Sequence, residues 1–176
     1  MKPIERINQV VKLLSDNEEE LIEYLKETQF DFSFFDKDVN PDIYKEVFYY
    51  DFRKPNAIIE NEVIKQLLSY DFVTYLSYNI FPPGVRIDKH KDPDPGEEIY
   101  QLTQHHGPFS GNPIFRRLHF SLEDSPENCF MIFDDKKYVW KKGELQFFDV
   151  HNFTHEFYNN SNDFFSLLLI DVLVGE

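Results

Sequence analysis

The sequence is poor in cysteine, in positive charge and in long apolar runs. Its single cysteine, Cys129, excludes an intramolecular disulfide and fits a reducing compartment. The 18 basic and 32 acidic residues give a formal net charge of −14, and no basic stripe is present that could displace counterions from DNA or RNA. The chain opens with no signal-peptide pattern or membrane-spanning run. We therefore predict a cytoplasmic protein that binds neither nucleic acid nor a membrane.

Aromatic side chains, in contrast, are abundant. The chain contains 19 Phe and 10 Tyr, and 41% of its residues are hydrophobic. This composition is typical of a globular protein and not of a disordered one. A length of 176 residues is sufficient to bury a substantial core. We predict one domain that spans residues 1–176.

The apolar pattern changes type near residue 70. Helical spacing runs through Ile4, Ile7, Val11 and Leu14, then through Leu21, Ile22 and Leu25. Asn40-Pro41 is a typical helix start, and residues 58–68 form another amphipathic pattern. Short β-branched and aromatic segments follow at 73–81, 84–88, 115–122, 129–133, 138–140, 144–150, 155–159 and 164–173. We expect a mostly helical flank (1–70) packed on one face of a double-stranded β-helix, or cupin-like jelly roll (71–176).

One pattern carries chemistry directly: a His-x-Asp pair and a distant second histidine. His90 and Asp92 lie two residues apart, so on an extended strand they project to the same face. His155 completes the 2-His-1-carboxylate set that holds non-haem Fe(II) and leaves coordination positions open. Paired cysteines are absent, which argues against a structural zinc site. We predict that these three residues bind Fe(II).

A long segment rich in proline, glycine and charge follows Asp92. Loops of this length are usually functional or disordered. Because residues 93–113 begin at the predicted metal site, we interpret them as a lid. His105 and His106 lie within this segment, and a surface role is the simpler interpretation for both.

The segment at 115–122 has two chemically different faces. Alternation places Leu118 and Phe120 on one face and Arg117 and His119 on the other. An Arg-His face is expected where a strand lines a polar cavity, and the guanidinium fork suits a carboxylate. We predict that Arg117 and His119 bind an organic acid beside the metal. In the simpler alternative, both side chains face water.

Together these motifs resemble the aspartyl/asparaginyl β-hydroxylase family, within the Fe(II)- and 2-oxoglutarate-dependent oxygenases. The resemblance covers about residues 73–172. It rests on Pro83-Gly84, His90, Arg117-x-His119, Trp140-x-x-Gly143, His155-Glu156 and Ile170-Asp171-Val172. Asp92 is similar to the amino-acid hydroxylases of the superfamily, which keep this ligand. The resemblance implies a jelly-roll enzyme that uses O2, converts 2-oxoglutarate to succinate and hydroxylates an unactivated C–H bond.

The chain departs from the family at one important position. Ten residues after the second metal histidine, where the family has an arginine that pairs with the distal carboxylate of 2-oxoglutarate, this chain has Phe165. The hydroxyl residue that assists this arginine corresponds to Asn79. Three explanations stay open: Arg86 or Arg117 replaces the arginine, the co-substrate differs or is absent, or the protein binds metal without catalysing oxidation. Arg86 is a candidate because simple alternation gives it the same parity as His90.

We therefore predict a non-haem Fe(II) oxygenase in which His90, Asp92 and His155 hold the metal. Its co-substrates are O2 and, by resemblance, 2-oxoglutarate, and its substrate is an amino acid, a peptide side chain or a similar small polar molecule. The predicted contacts of the organic acid are Arg117, His119, Asn79 and Arg86. The alternative is a metal-binding jelly roll without 2-oxoglutarate turnover that serves as a binding or regulatory module.

Overall fold

The computed structural model describes residues 2–28, 36–38, 47–54, 57–92 and 114–175. In these ranges the helices are α1 (Pro3–Asp16), α2 (Glu18–Glu27) and α3 (Glu62–Ser69). The strands are β1 (Asp36–Asp38), β2 (Val47–Asp51), β3 (Val73–Phe81), β4 (Arg86–His90), β5 (Ile114–Ser121), β6 (Cys129–Phe133), β7 (Lys136–Tyr138), β8 (Leu145–Phe148), β9 (His155–Asn159) and β10 (Phe165–Gly175). Each of the eight segments predicted after residue 70 therefore contains or adjoins a strand.

The strands form two antiparallel sheets with the topology of a jelly roll. The larger sheet has the order β1-β2-β3-β10-β5-β8, and the smaller has the order β4-β9-β6-β7. Strand β10 is central, because it pairs with β3 on one side and β5 on the other. The jelly-roll prediction is confirmed.

Two apolar clusters lie on opposite faces of the larger sheet. On β10, Leu168 and Ile170 pack with residues of all three helices, whereas Phe165 and Leu167 pack with residues of the smaller sheet. Because successive side chains of a strand alternate between faces, one strand serves both clusters. The predicted helical layer on one face is confirmed, and the second cluster defines the interior between the sheets.

The prediction of a mostly helical flank is wrong for part of residues 1–70. Val47–Asp51 forms β2, which pairs with β3, and Asp36–Asp38 pairs with β2. The segment VFYYD is β-branched and aromatic, and a free edge of the larger sheet is available to it, so pairing outweighs the helical pattern around it. The helix start predicted at Asn40-Pro41 lies outside the described residues.

The remaining helix predictions hold with shifted boundaries. Helix α3 begins at Glu62 instead of near residue 58, because the Asn61 side chain accepts hydrogen bonds from the amides of Val63 (2.9 Å) and Ile64 (3.1 Å) and so caps the helix there. In α1 the buried face is centred on Val10 and Leu14, so the stripe predicted through Ile4 and Val11 is wrong at both positions: Ile4 is 58% exposed and Val11 is only partly buried. None of the helices in the described ranges is long and apolar enough to cross a membrane.

We expect Cys129 to be nearly inert in the folded protein. Burial raises the pKa of its thiol to about 12, whereas an ordinary cysteine has a pKa of about 8.5. At pH 8 the reactive thiolate is therefore roughly a thousandfold scarcer than in an unfolded chain. Alkylation by iodoacetamide at pH 8, with and without denaturant, measures this difference. Equal rates in the two conditions would contradict the buried position of Cys129.

Candidate metal centre

The three predicted metal ligands meet where β4 and β9 end. His90 is the last residue of β4, His155 is the first residue of β9, and the two are direct partners across the ladder. Asp92 follows two residues after β4 ends. Its Oδ1 lies 3.3 Å from His90 Nε2 and 3.4 Å from His155 Nε2. All three ligand atoms lie within 4.8 Å of one another, so the fold brings the predicted set together.

A β-bulge in β4 turns His90 towards the interior. Arg86 pairs with Tyr158 and Ile87 with Phe157, but His90 pairs with His155, which leaves one extra residue on β4. Ile87 and His90 therefore share a face although their numbers differ by three. The single-face prediction for Arg86 and His90 is wrong for this reason.

Arg86 consequently lies on the outer surface. Its side chain is 52% exposed, its Nε lies 3.0 Å from Asp88 Oδ1, and its guanidinium stacks on the Tyr158 ring at 5.1 Å. The structure does not bring Arg86 to the metal centre. Its predicted contact with an organic acid receives no support.

The centre is buried on one side and open on the other. The side chains of His155 and Asp92 are 11% and 14% exposed, whereas that of His90 is 39% exposed. His90 Nδ1 lies 2.6 Å from the carbonyl oxygen of Asp88. When Nδ1–H donates to this carbonyl, the lone pair of Nε2 faces the centre, which is the tautomer that a metal requires. Among the three side chains, His90 is therefore the most exposed to solvent.

Charge at the centre favours an ionised Asp92. Burial raises the pKa of its carboxyl, but the Arg117 guanidinium and the hydrogen bonds with His155 and His90 outweigh burial and hold the pKa far below its usual range. The hydrogen bond with Asp92 also raises the pKa of His90. A metal therefore meets an ionised carboxylate but competes with a proton for His90.

Arg117 faces the interior, as predicted, but protein carboxylates already occupy it. Its Nε and Nη2 donate to the two carboxylate oxygens of Asp171, each at 2.7 Å. Its Nη1 donates to Asp92 Oδ2. Burial lowers the pKa of Arg117, but the two aspartates outweigh this effect and raise the pKa. Arg117 is thus next to the metal centre, with two charge partners from the protein.

His119 and Asn79 also point between the sheets. The His119 ring stacks on Trp140 and tilts against Phe148. Burial, followed by the charge of Arg117, lowers the pKa of His119 well below its usual value, so the ring is neutral. Asn79 Nδ2 donates to Ser77 Oγ at 2.6 Å. Their role in binding an organic acid stays a prediction, and neither supplies a positive charge.

Phe165, to which the sequence resemblance assigns the place of the family's arginine, lies in the interior between the sheets. The side chain is fully buried, and its ring lies 5.2 Å from Trp140, 6.3 Å from Phe81 and 6.5 Å from Phe157. This position is therefore a packed aromatic cluster.

The segment 93–113, with His105 and His106, lies outside the described residues, and its predicted role as a lid stays a prediction. The segment contains no lysine or arginine.

These observations separate the two groups that the resemblance implies. Two imidazoles and one carboxylate suit Fe(II), and their convergence fits a bound divalent ion. The distal carboxylate of 2-oxoglutarate fits less well, because burial of an unpaired charge among apolar rings costs on the order of several kcal/mol of binding free energy. The residues present fit the metal but not the second carboxylate of the family's co-substrate.

Asp171 is part of the motif Ile170-Asp171-Val172, but the sequence analysis predicts no role for its side chain. It is an acidic residue within the otherwise apolar end of β10, and its side chain is only 7% exposed. A charge in such a run is a signal, since buried aspartate almost always has a partner. The partner became clear only from the register, in which Asp171 lies directly opposite Arg117.

Comparison with known proteins gives one family and several similar folds. The model of the family described as aspartyl/asparaginyl β-hydroxylase matches residues 49–174. One similar structure is that of AviO1 from Streptomyces viridochromogenes Tue57, which shares 13% sequence identity with this chain. The match covers 94% of this chain and 84% of that chain, with a TM-score of 0.50. A predicted oxalate decarboxylase from Thermotoga maritima is also 13% identical, with coverage of 83% and 99% and a TM-score of 0.46. A search of curated proteins found no match. At 13% identity the similarity to AviO1 bears on the fold alone.

Proposed function

Because the chain belongs to the aspartyl/asparaginyl β-hydroxylase family, we propose that it is an Fe(II)-dependent oxygenase that hydroxylates a small polar substrate. The observation that carries this proposal is the convergence of His90, Asp92 and His155 on one point. Bound Fe(II) would supply the activation of O2 that hydroxylation of an unactivated C–H bond requires. The family assignment and the donor set agree, since all three side chains lie within the matched residues 49–174 and converge in the fold.

The surrounding residues define how a substrate approaches. The side chains of His155 and Asp92 are only 11% and 14% exposed, and an apolar cluster fills the interior between the sheets. The exposed edge of His90 leaves the outer side open. A free amino acid, a peptide side chain or a similar small polar molecule therefore reaches the centre from outside. We propose a cytoplasmic enzyme, in keeping with its single buried thiol.

A 2-oxo acid is the co-substrate that we propose, with an uncharged tail preferred to the second carboxylate of 2-oxoglutarate. Phe165 removes the family's cation, and Arg117 is bound to Asp92 and Asp171. Burial keeps His119 neutral. The far end of such a ligand would therefore find hydrogen bonds and apolar contacts among the interior residues named here. Their one cation, Arg117, already pairs with two aspartates.

The buried Phe165 also favours a second candidate function. A jelly roll that binds metal but turns over no 2-oxo acid would have no need of an anion partner at this position. Such a protein would act as a binding or regulatory module. The two candidates share the metal centre and differ in whether O2 is consumed.

Turnover with a set of 2-oxo acids tests the proposal. Protein loaded with Fe(II) is incubated in air with 2-oxoglutarate, pyruvate or phenylpyruvate labelled at C-1, together with a mixture of amino acids and short peptides. We expect O2 uptake and release of labelled CO2 in equal amounts, absent in His155→Ala. Stoichiometric metal binding without uptake of O2 for any acid would favour the binding module. Failure to bind metal would contradict both candidates.

A further inference from the structure

We propose that Arg117 is a positioning residue that fixes the carboxylate of Asp92 for metal binding, and that Asp171 anchors Arg117 for this purpose. This inference rests on the metal centre of the proposed function. The three side chains Asp171, Arg117 and Asp92 are called the Arg117 bridge below. It gives Arg117 a different role from the binding of an organic acid that its sequence motif indicates.

The inner half of the bridge is built into the sheet. Arg117 on β5 and Asp171 on β10 are direct cross-strand partners, so their side chains leave the same face at the same level. The contact is bidentate, with both N–O distances at 2.7 Å. The guanidinium also lies over the Tyr75 ring at 5.6 Å. Two strands and a ring thus hold the guanidinium in one orientation before it contacts Asp92.

The outer half of the bridge is the contact between Arg117 and Asp92, a residue that belongs to no strand. Asp92 lies beyond the end of β4, where its backbone N–H donates to the carbonyl of Val150 at 3.1 Å. This bond places the main chain but leaves the carboxylate free to rotate. The guanidinium binds Oδ2, and Oδ1 then faces the Nε2 atoms of His90 and His155. The two oxygens of Asp92 therefore have separate tasks.

This division determines how Asp92 would serve a metal. With Oδ2 bound to Arg117, the carboxylate presents one oxygen to the ion, which leaves the other coordination positions for ligands from outside the chain. Three of the five guanidinium N–H groups are already used by Asp171 and Asp92. Protein partners that fix the geometry of metal ligands in this way typically change metal affinity by about 10- to 100-fold.

Electrostatics and positioning predict opposite effects, which makes the proposal testable. Removal of a cation beside a divalent ion strengthens metal binding if the charge alone matters. Removal of a positioning residue weakens metal binding. The double variant Arg117→Gln/Asp171→Asn leaves the net charge unchanged and replaces the inner ion pair by two amides that can hydrogen-bond. Its effect on metal affinity therefore reports positioning without a change in net charge.

The experiment measures Mn(II) affinity by calorimetry, in wild type and in this double variant. We expect about 10- to 100-fold weaker binding in the double variant. The matched control is Arg116→Gln/Asp149→Asn, which neutralises the neighbouring ion pair, with an N–O distance of 3.0 Å, and should leave affinity within about twofold. Thermal unfolding of each protein shows whether it is folded. If the double variant does not fold, Arg117→Lys replaces it, because one ammonium cannot span Asp92 and Asp171 as the planar fork does, and about tenfold weaker binding is expected.

A third arm assigns the effect to Asp92. In an Asp92→Ala background the bridge has no side chain to orient, so the Arg117→Gln/Asp171→Asn change should alter Mn(II) affinity by less than about twofold. An equal loss in both backgrounds, or an unchanged or tighter affinity in the wild-type background, would overturn the inference. Absence of Mn(II) binding by the wild type would contradict the metal centre itself, which distinguishes failure of the proposed function from failure of the bridge.

Discussion

His155→Ala and His90→Ala are expected to abolish stoichiometric binding of Fe(II), Mn(II), Co(II) and Ni(II). Each substitution removes one of three donors that converge within 4.8 Å. Loss of a residue that merely orients a ligand costs about 10- to 100-fold in affinity, so loss of the ligand itself should exceed about 100-fold. Asp92→Ala should weaken metal binding too, and it also removes one of the two carboxylates that pair with Arg117.

Calorimetry with Mn(II) and metal analysis of the purified variants measure this effect. His151→Ala is a suitable control, because His151 is only four residues from His155 but lies against Phe115, with ring centroids 6.1 Å apart. We expect it to retain one metal per chain. Metal retained by His155→Ala at wild-type affinity would place the binding site elsewhere in the chain. Wild-type protein without bound metal would refute the enzyme proposal.

The sequence was sufficient to predict the residues of this centre because their chemistry is local. His90 and Asp92 are two residues apart, and the aromatic and β-branched segments that frame them are short and well separated by turns. The β-bulge that turns His90 inwards could not be predicted, since it depends on how β4 pairs with β9. For the same reason, the alternation rule assigned Arg86 to the wrong face.

Two other features depended on contacts between distant segments. Val47–Asp51 pairs with β3, and this edge pairing decides its structure against the helical pattern of the flank. Asp171 and Arg117 are 54 residues apart in the chain, and only the register of β10 on β5 makes them partners. The intrinsic preference of a segment for helix or strand predicts its structure well when its tertiary contacts favour the same structure. When they do not, tertiary pairing decides which structure forms.

Phe165→Arg is expected to destabilise the ligand-free protein strongly. Phe165 is fully buried against Trp140, Phe81 and Phe157, so the substitution removes ring contacts and places an unpaired guanidinium in an apolar cluster. A buried charge without a partner costs about 3–5 kcal/mol, which for a chain of this size lowers Tm by roughly 10 °C. The matched control Phe165→Leu removes part of the ring packing without adding charge and should cost less.

The same substitution should create a binding partner for the second carboxylate of 2-oxoglutarate. In the presence of Mn(II), 2-oxoglutarate should therefore raise the Tm of Phe165→Arg by more than it raises that of wild type or Phe165→Leu. A ligand at 100 times its Kd adds about 2.7 kcal/mol of stability, so rescue of this size is measurable in a thermal scan. Pyruvate lacks the second carboxylate and should shift the Tm of all three proteins to a similar extent.

The comparison of the two acids decides whether the missing arginine matters. If 2-oxoglutarate stabilises wild type far more than pyruvate does, a cation already serves its second carboxylate, and the preference for an uncharged tail is wrong. If neither acid stabilises any of the three proteins while Mn(II) still binds, the centre takes no 2-oxo acid and the binding module is the better explanation. Selective rescue of Phe165→Arg by 2-oxoglutarate would show that the fold still holds the co-substrate in the family's orientation. In that case Phe165, and not the jelly roll around it, determines which acid this protein uses.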